Sequence, residues 1–175
     1  MTATSQIRAA IRDIPDFPKP GILFRDITPV LSDAGLFRLA IREFVDICRE
    51  AKAAKIAGID ARGFLFGATV AYELGLGFVP VRKKGKLPFH TITQSYDLEY
   101  GSAEVEIHTD AFTEGERVVL IDDLLATGGT AGAAIRLITQ SGARVVAAAF
   151  LLELADLGGR KALGDVPITA IVTYP

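Results

Sequence analysis

Cys48 is the only cysteine in 175 residues, so the chain has no internal disulfide and suits a reducing compartment. No apolar run approaches the ~18 residues that a membrane-spanning helix requires, and the N-terminal residues lack the hydrophobic core of a signal sequence. Neither sign of charge dominates. Lys plus Arg total 19 against 21 Asp plus Glu, a net charge of −2 that gives no indication of a nucleic-acid or polyanion surface. Repeats, linkers and low-complexity tracts are missing too. So are two common anion-binding motifs, Gly-x-x-x-x-Gly-Lys-Ser/Thr and a Gly-x-Gly-x-x-Gly that opens a helix after a strand. The result is a chain with half its residues apolar and a length suited to one domain, 1–175, with a sizeable core. A soluble, cytoplasmic protein with no membrane partner is expected.

The most informative stretch runs from Val118 to Thr130, Val-Val-Leu-Ile-Asp-Asp-Leu-Leu-Ala-Thr-Gly-Gly-Thr. Four aliphatic residues are too few for a helix and fit a strand buried on both faces of a parallel sheet, ending at two carboxylates. A Thr/Gly turn follows, and then an Ala-rich helix over Ala131 to Gln140 with Ile135 and Ile138 on one face. In such a turn glycines let the backbone curl around an anion, while Thr hydroxyls and unpaired helix-start amides donate to a phosphate. Asp122 and Asp123 stand where a ribose diol, or a metal carried by the ligand, would meet them. Acids and glycines also end many parallel strands that bind nothing.

Upstream, Ile7, Ile11 and Ile14 form one stripe of a helix from Ser5 to Ile14, capped by Thr4 or Ser5. Pro15, Pro18 and Pro20 forbid regular structure next, and the apolar residues of Gly21 to Leu31 form either a strap over the core or a lid over an apolar ring. A helix capped by Ser32 or Asp33 reaches about Ala54, with Leu36, Ala40, Phe44 and Ile47 inward and Cys48 as a packing residue. Lys55 to Ile59 reads as a strand, then Asp60-Ala61-Arg62-Gly63 as a loop, then Phe64 to Leu74 as a helix stopped by Gly75. Arg62 is either a surface charge or a second contact to the same anion. Phe78 to Val81 is a strand delivering Arg82-Lys83-Lys84-Gly85-Lys86, a solvated loop or a set of cations facing an anion. Leu87 to Asp97 shows no stable period and is expected to be mobile. Leu98 to Thr109 alternates, with Glu104, Glu106 and His108 opposite Ala103, Val105 and Ile107, as in a strand exposed on one face. His90 and His108 have no triad or metal partner in sequence. Arg144 to Leu152 and Ile168 to Tyr174 complete the strands. Alternating strands and helices predict an α/β fold with a mainly parallel sheet, helices on both faces, and loops at the strands' carboxyl ends forming one site.

Five of these segments, in order, resemble the type I phosphoribosyltransferase family, and Leu-Leu-Ala-Thr-Gly-Gly-Thr is the variant found in its adenine-specific members. The resemblance implies transfer of a phosphoribosyl group from phosphoribosyl pyrophosphate to adenine, giving AMP and pyrophosphate, with Mg2+ carried by the substrate near Asp122 and Asp123. It implies that residues 1–31, and Phe17 to Leu31 above all, form a small hood, with backbone groups of Leu23 and Arg25 reading the base edge and Phe24 and Leu124 enclosing its faces. Leu154 would also approach the base. Ala126, Thr127, Gly128, Gly129 and Thr130 would grip the 5-phosphate. Gly58 to Gly67 resembles the family's pyrophosphate loop, which places Arg62 on the leaving group and a non-proline cis peptide between Asp60 and Ala61. Arg82, Lys83 and Lys86 match basic positions used toward pyrophosphate, partly across a homodimer interface; Lys84 is left on the surface. A flexible loop over residues 83–103 would close the site through Glu99, the candidate for handling the purine proton, and Tyr100. Two other readings stay open: a phosphoribosyltransferase for another purine base, and a non-catalytic regulator that senses phosphoribosyl pyrophosphate. Such regulators usually add a DNA-binding domain, for which this chain has neither the length nor the basic balance.

Overall fold

The computed structural model describes residues 2–97 and 101–175, so Glu99 and Tyr100 lie outside the described residues. The chain forms two compact units, Met1–Glu43 and Phe44–Pro175.

In the first unit, helix α1 (Ala3–Ala10) begins earlier than the sequence predicts, because Thr2 Oγ1 accepts the Ser5 amide at 3.2 Å and caps it. The predicted continuation to Ile14 is not helical. Strand β1 (Arg12–Pro15) pairs antiparallel with β2 (Leu23–Asp26), Arg12 opposite Asp26 and Pro15 opposite Leu23. Backbone pairing with Phe24 thus withdraws Ile14 from the helical stripe, and Leu23–Asp26, read as irregular, becomes a strand. The hairpin loop contains a cis Phe17–Pro18 bond and an Asp16 carboxylate that accepts the Gly21 amide at 2.8 Å. Helix α2 (Thr28–Ser32) follows, and Asp33 caps α3 (Ala34–Glu50), whose residues from Phe44 onward belong to the second unit, by accepting the Leu36 amide at 2.9 Å. This helix stops at Glu50 rather than near Ala54. Its buried stripe is Ala40, Ile41, Phe44, Val45 and Cys48, with Leu36 and Ile47 only half-buried.

The second unit is built on a seven-stranded sheet: β3 (Lys55–Ile59), β4 (Gly77–Lys83), β5 (Thr91–Asp97), β6 (Ser102–His108), β7 (Arg117–Leu125), β8 (Arg144–Leu154) and β9 (Ile168–Tyr174). The order across it is β5-β6-β4-β3-β7-β8-β9. The five neighbouring strands β4, β3, β7, β8 and β9 are parallel, and the β5–β6 pair adds an antiparallel edge. The mainly parallel sheet expected from the alternating elements is therefore present. Two helices cover it, α4 (Arg62–Leu74) against β3 and β7, and α5 (Gly129–Gln140) chiefly against β5 and β6. Alternation along β3 sends Ala57 and Ile59 into the core that contains Ala133, Leu137 and Phe150. On the α4 side, Phe44 and Phe66 are fully buried with ring centroids 5.4 Å apart. Gly75, at φ 66, ends α4 as expected. Among the described residues, no helix is long and apolar enough to cross a membrane.

Two strands differ from the sequence reading. Strand β7 does not stop at Ile121 but runs through both aspartates to Leu125, because Asp122, Leu124 and Leu125 still pair with Phe150, Leu152 and Glu153. Thr91–Asp97, read as lacking any period, is paired along its whole length with β6. Its Thr-Ile-Thr start has the β-branched composition that a pleated partner rewards.

The approach of α4 to β3 depends on a missing side chain. A Cβ on Gly58 would stand 2.7 Å from the Phe78 ring and 3.2 Å from the Gly63 carbonyl oxygen. Gly58→Ala is therefore expected to cost about 1–3 kcal/mol, as overpacking does, and to lower the denaturation midpoint at unchanged m-value.

Candidate active site

The sheet reverses direction of growth between β3 and β7, since the chain leaves β3 toward β4 on one side and β7 toward β8 on the other. Loops at the carboxyl ends of such neighbours diverge and leave a crevice. Here a cavity of about 590 Å³ opens, lined from Asp122 to Ala131, by Ile59 to Arg62 and by Arg82, Lys83 and Lys86.

The first wall is the β7–α5 connection. Gly128 adopts φ 81 at the N-cap of α5, where no side chain supplies a cap bond. A Cβ there would collide with the Gly159 carbonyl oxygen and stand 2.9 Å from the Ala162 Cβ. Glycine is thus required twice, for the left-handed turn and for the close approach of the 3-10 segment Gly159–Leu163. The turn is uncapped by side chains and faces the cavity with Ala126, Thr127, Gly128, Gly129 and Thr130. That geometry offers backbone donors to an anion.

The second wall is the turn between β3 and α4. Its Asp60–Ala61 bond is cis, as the resemblance implied. Arg62 Nε donates to Asp123 Oδ2 and ties this turn to the end of β7. Asp123 is 6% exposed. Its neighbour Asp122 has its amide-side partner in Asp123, whose N–H donates to Asp122 Oδ1 at 2.8 Å. Desolvation and then the Asp123 charge push the Asp122 carboxyl well above its ordinary range, only partly opposed by that hydrogen bond and by Arg62. Burial works against the Arg62 charge, but the Asp123 carboxylate outweighs it and holds the guanidinium more firmly protonated.

The basic loop supplies the third wall. Arg82 Nε donates to Asp60 Oδ2 at 3.0 Å and Arg82 Nη1 to the Lys86 carbonyl at 3.2 Å, so Arg82 couples this loop to the β3–α4 turn. Lys84 instead pairs with Glu104 at 2.8 Å and is 57% exposed, the surface residue expected. Glu106, read as solvent-facing, is 3% exposed because the chain at Gly85 to Leu87 folds over it. Burial alone would raise its carboxyl, yet the amides of Leu87, Gly85 and Lys86 outweigh that and hold it below the ordinary carboxylate range.

The structure thus brings Arg62, Arg82, Lys83, Lys86, Asp122, Asp123, Leu124 and residues 126–130 to one cavity. Leu154, at the end of β8, is not among the described residues that line it. Leu23, Phe24 and Arg25 lie on β2 of the first unit, where Phe24 packs edge-on against Phe17 at 5.1 Å and Arg25 pairs with Asp13. Sequence reasoning missed Tyr96, which lines the cavity and would meet a Cβ on Gly129 at 3.1 Å. It also missed the buried Glu153, which Arg160 grips with two hydrogen bonds of 2.7 Å. No local signal marks either, since both depend on the segment that folds against them.

A phosphoribosyl transferase domain model matches residues 31–168. The adenine phosphoribosyltransferase of Parvibaculum lavamentivorans is 58% identical over 96% of this chain and 97% of its own. The crystal structure of the enzyme of that name from Thermoanaerobacter pseudethanolicus superposes with a TM-score of 0.94 at 51% identity, over 98% of this chain and 99% of its own. That from Saccharomyces cerevisiae, complexed with an imino-altritol bisphosphate and adenine, gives 0.93 at 41% identity, over 97% and 98%. The chain belongs to the phosphoribosyltransferase family, with the type I fold.

The raised Asp122 carboxyl has a consequence for stability. A folded-state pKa above the unfolded value favours the folded protein fully below about pH 4, and that support is lost as pH rises through the raised value. Asp122→Asn removes the like-charge cost, so the variant should melt above the parent at pH 7 to 8, with the margin vanishing toward pH 4. Melting curves across that range check this; an Asn variant less stable than the parent at pH 8 would mean that the pair carries no such cost.

Proposed function

We propose that this chain transfers the 5-phosphoribosyl group from phosphoribosyl pyrophosphate to adenine, releasing AMP and pyrophosphate. Its support is one cavity that joins the turn at Ala126–Thr130, uncapped by side chains, the two aspartates and the cations Arg62, Arg82, Lys83 and Lys86, in a chain whose relatives are adenine phosphoribosyltransferases. The purine nitrogen forms its bond to the anomeric carbon as the carbon–oxygen bond to pyrophosphate breaks, and the purine proton leaves to a base.

In this reading the turn amides and Thr hydroxyls bind the 5-phosphate, and Asp122 and Asp123 hold the ribose hydroxyls beside the growing positive charge. Arg62 and the basic loop offset the charge of the departing pyrophosphate. Magnesium carried by the donor would offset the pyrophosphate's charge, and Asp122 and Asp123 are the oxygen acceptors that would face it at the ribose end. Leu23, Phe24, Arg25, Leu124 and Leu154 are the base contacts. Glu99 takes the purine proton, with Tyr100 beside it, when a loop over residues 83–103 closes. A homodimer is part of the proposal, with basic-loop residues reaching the neighbouring site.

Comparing adenine, hypoxanthine, guanine and xanthine as acceptors tests the reading. Pyrophosphate release should depend on adenine, and preference for another base would assign the chain to that purine, while no release with any base would support a sensor. Replacing Asp122 and Asp123 together by Asn should lower release by at least about 100-fold, the scale of losing a preorganised electrostatic group. Glu99→Gln should reduce kcat more than donor KM, and an effect confined to KM would make Glu99 a positioning residue.

A further inference from the structure

Glu106 sits where a carboxylate is costly. It stands on β6 in register with Arg82 of β4 on one side and Thr93 of β5 on the other, inside the antiparallel part of the sheet, and is 3% exposed. A charge desolvated to that degree needs its full set of hydrogen bonds. They come from main chain. Glu106 Oε1 accepts from the amides of Lys86 and Leu87, both at 2.9 Å, and the Gly85 amide and the Thr91 hydroxyl also hold the carboxylate.

Successive amides converging on one oxygen anion form a nest, an arrangement that proteins commonly use for external anions. Here the anion is internal. Gly85 at φ 83 supplies the bend, and Arg82 Nη1 grips the same segment from its other side through the Lys86 carbonyl at 3.2 Å. The path of residues 83–87 is therefore set by a buried anchor rather than by contacts among its exposed side chains. Lys83 and Lys86 of this segment line the cavity together with Arg82, whereas Glu106 is not among its described lining residues. Four cations within five residues repel one another, and a buried carboxylate beneath them offsets part of that repulsion when no anion is bound.

We propose that Glu106 is a positioning residue for the pyrophosphate end of the site: by anchoring the amides of residues 85–87 it holds the basic loop in the shape that presents its cations to pyrophosphate. This rests on the reading that those cations bind pyrophosphate. It predicts a lesion specific to the donor and to pyrophosphate, although the residue touches neither.

The test compares the parent chain with Glu106→Gln, Glu106→Asp and Leu87→Pro, measuring donor KM, adenine KM, kcat, melting temperature and inhibition by magnesium pyrophosphate. Leu87→Pro removes one amide donor and leaves the carboxylate in place. Lys86→Ala is the control for the underlying reading. Glu106→Gln should weaken donor and pyrophosphate each by about tenfold, or about 1.4 kcal/mol, with adenine KM changed by less than about twofold. Glu106→Asp, which keeps the charge, should recover part of the loss, and Leu87→Pro should reproduce part of it. Combined with Lys86→Ala, Glu106→Gln should weaken pyrophosphate by less than it does alone, as expected of coupled residues. If Lys86→Ala leaves pyrophosphate inhibition unchanged, the reading of the basic loop fails. If Lys86→Ala weakens it while every folded Glu106 and Leu87 variant keeps the parent's inhibition constant, Glu106 is only a core residue and the proposal is overturned, even if the variants melt lower.

Discussion

The ion pair between Arg62 and Asp123 crosses the point on which the site depends. On one side is the turn after β3 with its cis peptide, and on the other the carboxyl end of β7, where the sheet changes direction. A parallel sheet opens a crevice at such a point, and loops flanking a crevice have few partners of their own. The half-exposed guanidinium on a nearly buried carboxylate supplies one and sets the spacing of the two walls. It also leaves Asp122 as the costly member of the pair, desolvated beside a like charge. An acid held this way is unfavourable for folding.

The remaining loops are held by the same device, a buried or partly buried acid gripped by donors from a neighbouring segment. Glu106 fastens the chain between β4 and β5, Asp60 receives Arg82, and Glu153 is bound twice by Arg160, just after Gly159 packs against the turn that follows β7. Each contact joins elements that the sheet alone would leave independent. Replacing such a carboxylate leaves its donors unpaired, so the energetic effect is local and large compared with that of the exposed Lys84–Glu104 pair. Of the cations that line the cavity, Arg62 and Arg82 are placed by carboxylates that line it too, whereas the backbone at Lys86 is held by Glu106, which does not.

Much of the fold was legible because core strands and amphipathic helices carry their own periodicity. Lys55–Ile59 and Ile168–Tyr174 fall at the bounds that their β-branched runs indicate, and Gly75 ends its helix. The turn at Ala126–Thr130 was legible because a bend this tight, with Gly128 at φ 81, admits few residue types. Elements whose conformation is decided by a partner strand were not. Ile14 reads as helical until Phe24 pairs with it, and Thr91–Asp97 has no face of its own until β6 supplies one.

By itself the sequence determined the parallel α/β sheet, the glycine turn that leads into α5, and the family to which these belong, because local hydrogen-bonding geometry and hydrophobic period are properties of contiguous residues. Only the tertiary structure decided which charges meet. That Arg62 reaches Asp123, that Arg82 turns to Asp60, and that Glu106 is enclosed by amides of residues 85–87 follow from strand order and loop path, which bring together groups separated by as many as 61 residues in the chain. A carboxylate's alternation with valine and isoleucine says which way it points, and not whether water or a loop awaits it there.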